Sequence, residues 1–204
     1  MKENYQLYTD KIINNLDGKT PTLLLHSCCG PCSTYVLKYL SSYFKITVLY
    51  YNPNIHPTNE YLKRKEEQLR FIKEFKSINK ISFLDSDYNP ELFFEISKGL
   101  EEEKEGGIRC SKCYLLRMEE TAKIAKEKSF NYFGTTLTVS PYKNAEKINH
   151  IGKYLEDKYK VKFLYSDFKK RNGYKESIAL SKEYDLYRQD YCGCIYSKVK
   201  EEIL

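Results

Sequence analysis

Apolar residues recur along this chain with two alternating spacings. Helical spacing, with apolar side chains three or four residues apart, marks six longer segments: residues 5–16, 31–43, 59–77, 112–128, 144–158 and 173–184. A seventh, shorter helix is predicted to open with Asn89 as its cap and Pro90 at its first position, and to end at Gly99. Short apolar runs typical of strands lie between these helices, at residues 22–27, 45–51, 80–86, 131–138 and 161–166.

Strands that alternate with helices usually pair in parallel and are covered on both faces. The pattern therefore predicts an α/β fold, a three-layer Rossmann-like and mostly parallel sheet of about five strands. The 204 residues contain no repeat and no evident linker, so we expect residues 1–204 to form a single domain. In such a sheet, functional groups gather beyond the carboxyl ends of the strands.

The polarity of the chain argues against a membrane protein. Its mean hydropathy is −0.64, and no apolar run approaches the length of a membrane span. The first residues, MKENYQLYTDKIINNL, lack the apolar core of a secretory signal. We therefore expect a soluble, cytoplasmic protein without a membrane partner, in a compartment where structural disulfides are disfavoured.

Seven cysteines form three short groups with none left over. Cys28, Cys29 and Cys32 lie in HSCCGPC, Cys110 and Cys113 in RCSKC, and Cys192 and Cys194 in YCGC. An odd number of cysteines cannot pair completely as disulfides. Thiolates at such short spacing are the ligands of soft metals, so the groups predict a metal site.

The predicted sheet places these groups at one crevice. The first group directly follows the first strand, where Gly30 and Pro31 turn the chain into a helix whose N-terminus favours thiolates. Cys110 and Cys113 follow two glycines at the start of another helix. The last pair is separated only by Gly193, and we expect the tail, about residues 185–204, to fold back over the site.

The number of thiols separates two kinds of metal site. Four thiolates complete one structural zinc site or one four-iron cluster, so seven leave three for a second metal or a redox-active pair. This surplus favours a reactive metal centre over a purely structural one. The net charge of +6 adds weak support for a polyanionic partner.

Polar residues that follow the fourth strand also fall at the functional edge of the sheet. Thr135, Thr136, Ser140, Tyr142 and Lys143 are candidates to bind the substrate, although a polar turn that caps the next helix would look the same. Arg109 and Arg117 flank the second cysteine pair. Each is a candidate to bind a phosphate or to offset the negative charge of a metal cluster.

Three further residues have weaker signals. His26, at the end of the first strand, is either a partner of a metal-bound sulfur or a satisfied histidine in the core. Asp190 and Tyr191 precede the last cysteine pair and are candidate proton donors.

Several longer motifs carry a family resemblance. They are LLLHSCCGPCS, YYNPNIHPTNEYLKR, RCSKCYLLRMEETAKIA, FGTTLTVSPYKN, YSDFKKRNGY and LYRQDYCGCIYS, in this order over residues 23–197. In these motifs the chain resembles the QueH family of epoxyqueuosine reductases. The resemblance implies a cobalamin-independent enzyme that reduces the epoxide of epoxyqueuosine, at the wobble position of tRNA, to queuosine. It also implies a [4Fe-4S] cluster with an adjacent mononuclear iron, an electron donor that the sequence does not identify, and a sheet related to the PP-loop or HUP group.

The resemblance gives each cysteine group a place in this chemistry. Reduction of an epoxide to an alkene takes two electrons and two protons and releases water, which suits an electron relay beside a Lewis acid. All seven cysteines are then candidate metal ligands, with Cys28, Cys192 and Cys194 catalytic and with Lys143 and Arg117 among the substrate-binding residues. The target base would have to leave its stack to reach the metals.

Two divisions of the cysteines remain open. In the first, Cys29 and Cys32 join Cys110 and Cys113 on the cluster, and the other three hold the second iron. In the second, Cys28 and Cys29 join Cys110 and Cys113, and Cys192 and Cys194 form a redox-active pair. The spacing alone does not choose between them.

Two other functions fit parts of the sequence. A nucleic-acid-binding module stabilised by structural zinc would use the basic surface and four of the thiols. A thiol-dependent tRNA-modifying enzyme of the PP-loop type would activate its substrate with ATP, but HSCCGPC offers no SGGxDS-like phosphate loop after the first strand.

Overall fold

The computed structural model describes residues 3–198, which alternate helices and strands in the predicted order. The helices are α1 (Tyr5–Asn14), α2 (Gly30–Leu40), α3 (Thr58–Glu74), α4 (Glu91–Ser97), α5 (Ile108–Glu127), α6 (Ala145–Tyr159), α7 (Gly173–Glu183) and α8 (Ile195–Lys198). The strands are β1 (Thr22–His26), β2 (Lys45–Tyr50), β3 (Ile81–Asp85), β4 (Tyr132–Thr135) and β5 (Lys162–Phe163).

The five strands form one sheet in the order β3-β2-β1-β4-β5, and every pair is parallel. In the register of the sheet, Leu24 of β1 lies between Thr47 of β2 and Phe133 of β4. The α/β prediction is therefore confirmed.

Alternate residues of β1 pack into different layers, which explains its continuous apolar run. Leu23 and Leu25 join the core that includes residues of α2 and α7, whereas Leu24 joins the core that includes residues of α5 and α6. All three leucines have no exposed surface. A strand covered on both faces needs apolar residues at every position. None of the helices described is both long and apolar enough to span a bilayer.

The order of the strands places the crevice between β1 and β4. From β1 the chain moves outward through β2 to β3, and then returns to the other side of β1 as β4. The connections that leave the carboxyl ends of β1 and β4 therefore diverge. Such a switch point opens a crevice at the edge of a parallel sheet, and ligands usually bind there.

Helix α5 begins four residues earlier than the predicted residue 112, at Ile108. Gly106 has a φ of 85°, and Gly107 is the N-cap. The carboxylate of Glu103 accepts a hydrogen bond from the backbone N–H of Ile108 at 3.0 Å, and so satisfies an amide at the helix start. Cys110 and Cys113 therefore lie inside the first two turns of α5.

The last two strands are shorter than predicted. After Thr135 the chain turns into a 3₁₀ helix, Leu137–Val139, rather than continuing as a strand to residue 138. Beyond β5, Ser166 exchanges hydrogen bonds with the side chain of Asn149 on α6, at 2.8 and 3.0 Å. The backbone of this segment is satisfied by a helix side chain, which replaces the strand partner that its apolar pattern predicts.

Helix α8 was not predicted, and it forms part of the tail. The last six residues of the predicted tail, 199–204, lie outside the described residues.

Close packing between α6 and β5 gives a direct test of the fold. A Cβ atom at Gly152 would overlap the ring of Phe163. Replacing Gly152 with alanine is expected to lower the free energy of unfolding by about 1–3 kcal/mol, because overpacking forces the ring or the helix to shift. The matched control, Lys153→Ala, changes an exposed residue of the same helix and should stay within about 0.5 kcal/mol of wild type. Urea denaturation measures the free energy of unfolding of both variants. Equal stability of the two would contradict this packing.

Candidate metal centre

The first cysteine group is held by the turn from β1 into α2. Cys29 is the N-cap of α2, and its sulfur accepts the backbone N–H of Cys32 at 3.4 Å. Pro31 lies in the first turn, where its missing N–H costs nothing. A Cβ at Gly30 would come within 3.3 Å of the Glu67 carbonyl oxygen, so glycine here lets α2 lie close to α3. The sulfurs of Cys28, Cys29 and Cys32 all lie within 4.8 Å of one another.

The three thiols of this group differ in acidity. Hydrogen bonds from the thiols of Cys29 and Cys32 hold the pKa of Cys28 well below its usual range. Burial raises the pKa of Cys29 to about 12, and hydrogen bonding to Cys28 raises that of Cys32. In the absence of a metal, one negative charge is therefore favoured at Cys28, and burial disfavours further charges beside it.

The second group lies at the start of α5. The backbone N–H of Gly106 donates to the sulfur of Cys110 at 3.2 Å. Cys113, one turn along, is buried, and burial raises its pKa to about 12. Nε of Arg117 donates to the carbonyl oxygen of Cys113 at 3.2 Å.

The tail carrying the third group docks on α3 and on the loop before it. Arg64 is 2% exposed and donates to the carbonyl oxygens of Tyr191 and Cys192, both at 3.3 Å, while its Nε binds Glu60 at 2.6 Å. The backbone N–H of His56 donates to the carbonyl oxygen of Gly193 at 2.8 Å. These bonds fix residues 191–193 beside the other cysteines.

Three of the seven thiols lie close enough together to share one ion, and we call these three the trio and the remaining four the quartet. The trio is Cys28, Cys29 and Cys32, and the quartet is Cys110, Cys113, Cys192 and Cys194. In the quartet, the negative charges of Cys192, Cys194 and Cys110 add to burial in raising the pKa of Cys113. Cys113 and Cys194 also pack together against Phe93.

Two cations, the buried Arg117 and the half-buried Lys143, lie near thiols of both groups. Arg117 faces the sulfurs of Cys113, Cys192 and Cys28, and Nζ of Lys143 lies 3.6 Å from the sulfur of Cys192. Burial alone would lower the pKa of Lys143, but the negative charges of Cys192, Tyr114 and Cys28 outweigh it and raise the pKa. Nη2 of Arg117 is buried without a hydrogen-bond partner among the described residues, which leaves a donor for a bound group.

A cavity of about 350 Å³ opens beside these groups. Cys28, Cys32 and Cys192 line its wall, while Cys194 lies outside it. Four cations, Arg64, Arg117, Lys143 and Arg188, also line the cavity, against two carboxylates, Glu105 and Asp190. The volume is in the range of small-ligand sites, and the excess of positive charge suits an anionic or electron-rich ligand.

Only some of the candidate substrate-binding residues reach this cavity. Ser140, Tyr142, Lys143 and Arg117 line it, and the side chain of Tyr142 is 76% exposed at its rim. Thr135 and Thr136 are buried and lie outside the cavity lining.

Hydrogen bonds explain the position of Thr135, since its hydroxyl contacts His26 Nδ1 at 3.0 Å and accepts the N–H of Leu137 at 3.2 Å. The helix-capping role belongs to Asn144, whose side chain accepts the N–H of Lys147.

His26 is a satisfied histidine of the core. Its Nε2 contacts the carbonyl oxygen of Tyr51 at 3.1 Å, and its Nδ1 contacts Thr135. Burial, with the nearby charge of Arg117, lowers its pKa to about 3, so the ring is neutral at physiological pH. Both candidate proton donors, Asp190 and Tyr191, line the cavity.

Arg109 turns away from that cavity. Its guanidinium donates to the carbonyl oxygens of Leu100 and Glu101, at 2.8 and 2.7 Å.

The sequence pattern missed Arg64 and Gln189. The buried face of α3 is Tyr61, Arg64, Gln68 and Phe71, whereas Leu69 is 40% exposed. An arginine at helical spacing between Tyr61 and Phe71 was a usable signal for a buried ion pair. Gln189 had no such signal, because nothing in a single sequence indicates that it meets Cys29.

Comparisons with known proteins place the chain in a family. The family model described as epoxyqueuosine reductase QueH matches residues 23–200. A protein of this name from Staphylococcus epidermidis is 44% identical, covering 99% of this chain and 87% of the relative. Those from Streptococcus pyogenes serotype M1 and Thermotoga maritima are 43% and 36% identical, covering 97% and 86% of this chain and 80% and 90% of the relatives.

A solved structure supports the fold class. The U34-tRNA thiolase NcsA from Methanococcus maripaludis, with its [4Fe-4S] cluster, superposes with a TM-score of 0.54 at 14% identity. The match covers 95% of this chain and 67% of the thiolase chain. At this identity the likeness concerns the fold alone.

Proposed function

The chain belongs to the QueH family of epoxyqueuosine reductases, and on that premise we propose that its cysteine-lined crevice removes the epoxide oxygen of epoxyqueuosine in tRNA. As its relatives' shared name indicates, the protein is an oxidoreductase of tRNA modification. The reaction takes up two electrons and two protons, breaks both carbon–oxygen bonds of the epoxide, forms a carbon–carbon double bond and releases water. The observation that carries the proposal is a positively charged cavity with three of the seven free thiols in its wall.

The donor set fits iron. All seven thiols are free, and the orphaned Nη2 of Arg117 lies where a donor to a negatively charged group is needed. When bound, a four-iron cluster would supply electrons singly, and a second iron would act as a Lewis acid on the departing oxygen. Cobalamin has no part in this proposal.

We further propose that the trio holds the mononuclear iron and that the quartet holds the cluster. A single tetrahedral ion with bonds of about 2.3 Å holds its thiolates ~3.8 Å apart, whereas a cluster carries each thiolate on a different iron and spreads them farther. The sulfurs of Cys28 and Cys29 are 3.9 Å apart, and Cys32 lies within 4.8 Å of both, which supports a single ion. Cys28, Cys32 and Cys192 are then the ligands in the cavity wall, with Cys194 behind them.

The cavity residues bind and orient the modified base. Lys143 and Arg117 donate hydrogen bonds to substrate oxygens, Ser140 provides a further polar contact, and the exposed ring of Tyr142 offers a surface on which the extruded base can stack. The free thiols require reducing conditions, so we place the enzyme in the cytoplasm. We also propose that the chain forms a single α/β domain. The partner is tRNA with epoxyqueuosine at the wobble position, together with an electron donor of unspecified identity.

Anaerobic reconstitution tests this function. The protein is loaded with iron and sulfide, incubated with a chemical reductant and tRNA containing epoxyqueuosine, and the nucleosides are analysed by mass. We expect the modified nucleoside to lose one oxygen atom, and Lys153→Ala to act as wild type. An unaltered epoxide at full iron loading would overturn the reaction, and a colourless protein that contains only zinc would favour the nucleic-acid-binding module.

A further inference from the structure

One residue of the tail contacts a cysteine of the trio. Nε2 of Gln189 lies 3.0 Å from the sulfur of Cys29, 160 residues away in sequence. Its Oε1 is buried and has no hydrogen-bond partner among the described residues. Gln189 also lines the cavity. The contact is therefore a single side-chain hydrogen bond that joins the tail to a candidate metal ligand.

The chemistry of a bound thiolate fixes the orientation of this amide. A sulfur that binds a metal has lost its proton and can only accept hydrogen bonds. The nitrogen of Gln189 must then face Cys29, and the carbonyl oxygen must face away, as the structure has it. The geometry suits the metal-bound form of Cys29.

The flanking residues hold Gln189 in place. Two residues earlier, the backbone N–H of Tyr187 donates to Glu67 at 2.6 Å, and its hydroxyl donates to Glu60. Two residues later, the hydroxyl of Tyr191 donates to the carbonyl oxygen of His56 at 2.7 Å. Because both sides are anchored, the amide reaches Cys29 without the freedom of a loose tail.

We propose that Gln189 is a positioning residue whose side-chain N–H raises the reduction potential of the metal group that Cys29 binds. Reduction makes a metal–thiolate group more negative, and a donor to the thiolate stabilises the more negative state. Removal of the donor therefore lowers the potential. The inference rests on the proposed function only in assuming that Cys29, as a member of the trio, binds the mononuclear iron, which can be titrated between its ferric and ferrous states.

Redox titration of the reconstituted protein, monitored by electron paramagnetic resonance without tRNA, measures this effect. In Gln189→Met, which keeps the length of the side chain and loses the N–H, we expect the reduced-to-oxidised ratio at a fixed potential to fall about tenfold, which is 59 mV for one electron. In Gln189→Glu, a near-isostere without the N–H donor, the ratio should fall at least as far, because the variant also adds a negative charge.

Gln6→Met is the matched control, since it makes the same substitution on α1, where the amide donates to Asp10 and Tyr39 rather than to a cysteine. It should leave the potential at the wild-type value. The proposal is overturned if both Gln189 variants titrate as wild type, if Gln6→Met shifts the potential equally, or if both Gln189 variants lose metal that Gln6→Met retains. The proposed function fails differently, through wild-type protein that binds no iron or leaves the epoxide intact.

Discussion

Replacing Cys110 with alanine is expected to remove the broad visible absorption of the reconstituted protein and to abolish its epoxyqueuosine reductase activity. The sulfur of Cys110 accepts the N–H of Gly106 at the start of α5, within the quartet that we propose for the cluster. Substitution of a residue that only supports a metal ligand lowers metal affinity or activity about 10- to 100-fold. Substitution of a ligand itself should therefore lower them by more than about a hundredfold. Absorption spectra, iron content and the mass assay measure the effect.

Two further variants make this experiment specific. Ser111→Ala changes the next residue of α5 and should keep both the spectrum and the activity. Cys32→Ala should keep most of the visible absorption while losing iron equivalent to a single ion and the activity, because Cys32 belongs to the trio. If Cys32→Ala loses the absorption as completely as Cys110→Ala does, Cys32 is a cluster ligand and the trio–quartet division is wrong. An unchanged spectrum in Cys110→Ala would reject its role as a ligand.

Replacing Gly193 with alanine is expected to displace the tail and to lower the reductase activity by about 100-fold, the usual cost of moving a reacting group by about 1 Å. Gly193 has a φ of 96°, and a Cβ there would lie 2.9 Å from both Nη1 of Arg64 and Cγ1 of Ile55. The arginine cannot retreat easily, because it also binds Glu60 and the carbonyl oxygens of Tyr191 and Cys192. Cys192 and Cys194 should move with the tail.

Gly18→Ala separates backbone strain from the close contact. Gly18 has a φ of 75°, but a Cβ there would meet nothing within 4 Å. Both variants should lose about 1–2 kcal/mol of stability from the left-handed backbone. Only Gly193→Ala should lose iron and activity as well. Full iron content and normal turnover in Gly193→Ala would show that the metal centre does not depend on tail docking.

The order of elements was predictable because each strand or helix has its own local pattern. The run TLLLH at β1 favours a strand, and the spacing of apolar residues in α6 favours a helix. The element ends were less predictable. The start of α5 is stabilised by Glu103 of the preceding connector, and beyond β5 the backbone of Ser166 bonds to the side chain of Asn149 instead of to a strand.

The functional edge was predictable for a similar reason. Parallel strands end at one edge, so residues that follow β1 and β4 converge there whatever the details of packing. Lys143 and Tyr142, both predicted at this edge, line the cavity. Thr135 was predicted there too, but its hydroxyl is hydrogen-bonded to His26 and lies outside the cavity lining. Which of several neighbouring polar residues faces a cavity depends on side-chain directions that a sequence does not contain.

The sequence by itself determined the α/β order, the three cysteine groups and the metal-binding character of the site. Family motifs in a fixed order determined its membership of the QueH family. Only the tertiary structure decided that Arg64 anchors the tail and that Gln189 meets Cys29. Local patterns record what a residue does with its neighbours in the chain. These contacts join residues more than a hundred positions apart, and they exist only after the sheet has closed the distance.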